Sequence, residues 1–129
     1  MDLEQTIAKY TGRHVTREQL DRAMQLDGLA AELAMGIGST ADAVGVTENE
    51  LIRVIDTITR HTTTARQAIT AEPGPPTPPL SRLDELHGAG VRFDALIAVR
   101  SQQLAHLDRL LRAWHFWLDP DAAEPGPPR

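Results

Sequence analysis

Five histidines, at positions 14, 61, 87, 106 and 115, are the first side chains to weigh, because imidazoles at helical spacing bind metals. None has that spacing. Asp84 and His87 form one i, i+3 pair, and a metal site inside a helical bundle needs a second. His87 is expected instead in the last turn of a helix, where partial positive charge suits the dipole. Gly36-Ile37-Gly38-Ser39-Thr40 has the glycines of a phosphate-binding loop, but it lacks the P-loop lysine and follows a helical stretch rather than a strand. No serine is flanked by glycines as a nucleophile elbow requires, and Asp84-Glu85 sits among ordinary solvated residues. The absence of cysteine excludes disulfides, thiolate metal sites and a cysteine nucleophile. The expectation is therefore a protein that is not an enzyme and uses no metal or cofactor. Trp114-His115-Phe116-Trp117 is the densest aromatic cluster, and it has two readings. It anchors a core or a helix pair, or it is an exposed hot spot for another protein.

These groups must be held by a chain of 129 residues with 41% hydrophobic and 4% aromatic content, 13 basic against 18 acidic groups and a net charge of -5. That length suits one domain, or a small domain with an appendage. Its apolar runs fall short of a bilayer span, and Met1-Asp2-Leu3-Glu4 does not open a signal peptide, so a cytoplasmic protein without membrane partners is expected.

The apolar spacing is helical nearly throughout, which predicts an all-α fold. A first helix is expected over residues 2–11, with Asp2 as N-cap and Gly12 as the C-terminal stop. Thr16 caps a second helix, with Gln19 completing a capping box and Val15 stapling onto Leu20. Its series Ala23, Leu26, Ala30, Leu33 and Ile37 runs on until Gly36 and Gly38 end it, at about 1 kcal/mol per glycine. Ser39 caps a short segment to Val44, and Gly45 turns the chain. A new helix then starts at Thr47, with Glu50 at N3 and Val46 stapling Leu51. Its stripe is read as Leu51, Ile55, Ile58, Thr62, Ala65 and Ile69.

Residues 72–79, Glu-Pro-Gly-Pro-Pro-Thr-Pro-Pro, read as a polyproline spacer. Ser81 caps a turn ending at Gly88, and a final helix follows Gly90 until Pro120 stops it. The acidic, proline-rich residues 119–129 read as a disordered tail. The domain expectation is a helical domain at 1–71, the spacer at 72–79, an oligomerisation or interaction segment at 80–118, and the tail.

One motif points toward a function. Ala41-Asp42-Ala43-Val44-Gly45-Val46-Thr47-Glu48-Asn49-Glu50-Leu51-Ile52-Arg53-Val54-Ile55 resembles the core of helix-turn-helix DNA-binding domains, a resemblance confined to residues 37–55. Ala41 is the small residue at the helix crossing, Gly45 the turn, and Val44, Val46, Leu51 and Val54 the buried positions. The resemblance implies a recognition helix capped by Thr47, whose first turn, with Glu48 and Asn49, enters the major groove. It further implies that Asn49 reads adenine and Arg53 guanine or a phosphate. The expected protein is then a small dimeric, sequence-specific regulator with DNA as partner. The same residues also read as a glycine turn between two packed helices, each capped for stability alone.

The final helix carries a broad stripe at 4-3 spacing, with Ile97, Leu104, Leu107, Leu111, Trp114 and Leu118 as the expected oligomerisation residues. Joined through a proline spacer, it is expected to self-associate through residues 91–118 in an antiparallel or four-helix dimer, or to bind another protein. The rival to DNA binding is a helical protein–protein interaction module, an adaptor or assembly component.

Overall fold

The Asp2 carboxylate accepts from the Gln5 backbone N–H at 2.8 Å, and the Asp2 backbone N–H donates to Gln5 Oε1 at 3.1 Å. This reciprocal cap starts α1 (Leu3–Thr11), which Gly12 stops at φ +69°. Thr16 and Gln19 make the second predicted capping box, 3.1 Å in both directions, at the head of α2 (Arg17–Gln25). The Val15 and Leu20 staple is buried. Glu4 on α1 accepts from the Arg17 backbone N–H at 2.7 Å, which satisfies an orphan donor of α2 and ties the two helices together. The computed structural model describes residues 2–70 and 83–118. They form an all-α fold of four helices, with no strand among the described residues.

Two helices are longer than the sequence reading expects. α3 runs from Leu29 to Thr70 and α4 from Leu83 to Leu118, so the breaks predicted at Gly36, Gly38, Gly45, Gly88 and Gly90 do not occur. The break lies at Gly28, φ +83°, a left-handed conformation that glycine adopts without strain. It divides the predicted second helix into α2 and the start of α3.

Packing explains why the other glycines stay helical. Along α3 one series of buried and half-buried positions is Ala30, Leu33, Ile37, Thr40, Val44, Thr47, Leu51, Val54, Ile58, His61, Ala65 and Ala68, with Ala34 and Ala41 buried beside it. The series alternates in steps of three and four without a slip, the spacing of a left-handed coiled seam. α4 matches it with Leu86, Ala89, Phe93, Leu96, Arg100, Gln103, Leu107, Leu110 and Trp114. A glycine costs about 1 kcal/mol within a helix, and a seam of this length offsets several. At Gly36 the small residue also eases close approach, since a Cβ there would stand 3.3 Å from Leu110 Cδ1.

The chain divides into two compact units, Met1–Gly45 with Ser101–Arg129, and Val46–Arg100. Both draw on residues from either side of the proline-rich segment. The expected division into a 1–71 domain and a separate 80–118 segment is therefore corrected: the apolar face of α4 packs against α3 instead of standing apart. The spacer at 72–79, the Ser81 cap, the Pro120 stop and the 119–129 tail lie outside the described residues.

In unit 1, α1, α2 and the unit's portions of α3 and α4 share one core. Ile7, Val15, Leu20 and Ala23 come together with Leu33, Ala34, Ile37, Ala41, Leu107, Leu111 and Trp114. In unit 2 a portion of α3 meets a portion of α4, and Leu51 and Val54 are its buried apolar residues. α3 also contains an 18-residue window long and apolar enough, by composition alone, to cross a membrane, contrary to the reading of short apolar runs. Its leucines, isoleucine, valines and alanines raise the average, and a core helix of a soluble protein meets the same criterion.

Candidate interaction face

The residues that the helix-turn-helix resemblance singled out all lie in unit 2. Because α3 continues through Gly45, Thr47 is not an N-cap but a mid-helix residue at the seam, with 6% of its surface exposed. Glu50, the expected partner in its capping box, pairs instead with Arg53 at 3.1 Å and with Arg92 of α4 at 3.0 Å. Glu48 is half-buried, 3.7 Å from Arg100. Asn49 and Arg53 are exposed on the side of a continuous helix. The turn and free helix N-terminus that the resemblance implied are absent, which corrects that geometric expectation.

The oligomerisation residues divide in the same way. Leu107, Leu111 and Trp114 are fully buried in the core of unit 1, packed on the chain itself, and Leu104 is half-buried. Trp114 is thus the core anchor of the aromatic cluster. Trp117 stacks near it at 5.7 Å between ring centroids, and Phe116 faces outward. Ile97 and Leu118 remain substantially exposed.

Unit 2 has two unlike sides, one residue to either side of its seam. On one side stand Glu50, Arg53, Thr57 and Arg92, a polar flank held by the Glu50 ion pairs. On the other, Leu51, Ile52, Ile55, Phe93 and Ile97 line an apolar groove whose rim is Glu48 and Arg100. Ile52, Ile55 and Ile97 are 56%, 46% and 41% exposed. The groove encloses about 270 Å³. That is below the usual range of small-molecule sites and leaves room for a few aliphatic side chains. His61 closes the seam farther along, buried, with Nε2 3.1 Å from Glu85 Oε2. The ring is not aligned for a hydrogen bond. No group of three or more His, Asp or Glu that could hold a metal occurs among the described residues.

The sequence reading missed this face by one residue. It placed Ile55, Thr62 and Ile69 on the buried stripe, whereas the seam runs through Val54, His61 and Ala68 and leaves those three outside. The signal was present. Carrying the three-four phase of Ala30, Leu33 and Ile37 across the glycines reaches Val54 and His61, and restarting the count at a supposed turn does not. No known protein family, curated protein or solved structure matches the chain.

Proposed function

We propose that this protein is a helical protein–protein interaction module, an adaptor or assembly component that docks partner helices on the apolar side of unit 2. One observation carries the reading: Ile52, Ile55, Phe93 and Ile97 line a continuous groove with no element of the described chain over it. Single exposed apolar residues are ordinary on a protein surface, but a contiguous row framed by charges marks an interaction site. The groove's small volume and aliphatic lining suit helix side chains rather than a cofactor.

Nucleic-acid binding is the less well supported reading. Helix-turn-helix recognition uses the N-terminal residues of a helix, and Thr47, Glu48, Asn49 and Arg53 stand in the middle of α3, with Arg53 and Glu48 engaged in ion pairs. Two carboxylates beside Asn49 also oppose the counterion release that drives phosphate binding.

The test is binding of the apolar dye anilinonaphthalene sulfonate to the full chain at sub-micromolar protein. Dye fluorescence is expected for the native chain and is expected to vanish in the Ile52→Glu/Ile55→Glu double variant with helicity retained. A double variant that binds dye as before overturns the reading. Fluorescence anisotropy with duplex DNA at two salt concentrations addresses the other reading, since affinity falling steeply with salt would restore it.

A further inference from the structure

We propose that the far section of unit 2, residues 56–70 of α3 with 83–92 of α4, is a conformational device built into the fold. It is a clasp that opens and recloses as one body while residues 47–54 and 93–100 stay paired.

Burial falls off along unit 2. Between 47 and 54 the seam buries Thr47, Leu51 and Val54, and α4 contributes the half-buried Phe93, Leu96 and Arg100. Beyond Val54 the one buried residue of α3 is His61, and the other seam positions, Ile58, Ala65 and Ala68, are half-buried. From α4 the far section receives Leu86, Ala89 and Gly90, half-buried as well. No apolar side chain described there is buried, and buried apolar contact is what sets the free energy of local opening.

The helices of this section also have little intrinsic strength. Residues 56–70 include six threonines, at 57, 59, 62, 63, 64 and 70. Four of their hydroxyls, on Thr57, Thr62, Thr64 and Thr70, donate to the carbonyl oxygens of Arg53, Ile58, Arg60 and Arg66. Such back-bonding weakens and bends a helix, and a β-branched side chain loses rotamer freedom in one. Across the seam α4 carries Gly88 and Gly90, the poorest helix formers after proline. A Cβ at either would meet nothing within 4 Å, so close approach does not account for them. By contrast, residues 47–54 contain one threonine and no glycine, and 93–100 contain neither.

His61 sits at the centre of the section. Its Nε2 is buried without a hydrogen-bond partner, although Glu85 Oε2 stands 3.1 Å away. A polar atom left unpaired in the interior loses hydration that it regains on exposure, so opening relieves a penalty that closure imposes. Among the described residues of unit 2, the two stretches have each other to pack on, which couples their opening.

Amide hydrogen exchange of the full chain at rising sub-denaturing urea tests the clasp. Residues 56–70 and 84–92 are expected to share one protection level, on the order of 100-fold or more below that of the unit 1 core and below that of 47–54. Thr62→Ala/Thr64→Ala, at two exposed sites of α3, should raise protection roughly fivefold in α3 and equally in 84–92 of α4. Gly88→Ala/Gly90→Ala should raise it about tenfold in both helices. Acylation of His61 by diethyl pyrocarbonate, located by mass spectrometry, should slow by the same factors, with the exposed His14 and His106 reacting as before. Protection that declines residue by residue toward Thr70 overturns the clasp and leaves ordinary end fraying. Protection equal to that of the unit 1 core overturns it too, as does a threonine double variant that protects α3 alone.

Discussion

Unit 1 and unit 2 are built on the same two long helices and differ in what closes them. Unit 1 adds α1 and α2, and its core holds a dozen buried apolar residues with Trp114 and Leu107 fully enclosed. Unit 2 adds nothing among the described residues. Its seam includes Thr47, His61 and Arg100, and its buried apolar side chains are Leu51 and Val54, each 6% exposed. Two helices bury one narrow stripe, whereas four bury two stripes per helix, so apolar surface that is core in one unit becomes available surface in the other. The contrast teaches where to look for function: both units leave large apolar side chains exposed, and in unit 2 Ile52, Ile55 and Ile97 are the exposed ones that line a shared groove.

The largest expected effect sharpens that contrast. Trp114→Ala removes the biggest enclosed side chain of unit 1, and denaturant unfolding should show a loss of about 3–5 kcal/mol. Leu51→Ala makes the same kind of cut in unit 2, where fewer neighbours enclose the gap. The expected loss is about 2 kcal/mol, the low end for such truncations. Amide exchange should show it concentrated in the second half of α3. Equal losses at the two sites would break the comparison.

Gly45→Ala comes next. The glycine is helical, and an added methyl group meets nothing within 4 Å. The variant should gain about 0.5–1 kcal/mol, read as a higher melting temperature. In a left-handed turn the same change would destabilise, so its sign reports directly whether α3 is continuous in solution. Gly36→Ala, pressed against Leu110, should gain less than Gly45→Ala. The smallest effect is expected at Arg53→Ala. Its ion pair with Glu50 is largely exposed, and stability should stay within about 0.5 kcal/mol of the native chain.

Much of the fold was legible residue by residue. Asp2 and Thr16 cap as their side chains dictate, Gly12 stops α1, and the helical spacing gives an all-α chain. These are local matters: a carboxylate or hydroxyl reaches a backbone N–H three residues away whatever the rest of the chain does. The face of unit 2 was only partly legible. Ile97 is legible as apolar stripe, but Ile55 is assigned by counting from a turn that does not form, and nothing in that count singles out Ile52.

What sequence alone determined is the class of element and the places where side chains close onto nearby backbone. What the tertiary structure decided is which glycines interrupt a helix and which apolar residues lie inside. Gly28 and Gly45 carry the same intrinsic cost. Gly45 lies on a helix whose flanking seam positions, Val44 and Thr47, are both buried, and that packing outweighs a penalty of about 1 kcal/mol. Gly28 lies between Leu26 and Leu29, which remain exposed, so no packing opposes the left-handed turn. The free energy that settles the choice comes from residues distant in sequence, and a local reading cannot contain it.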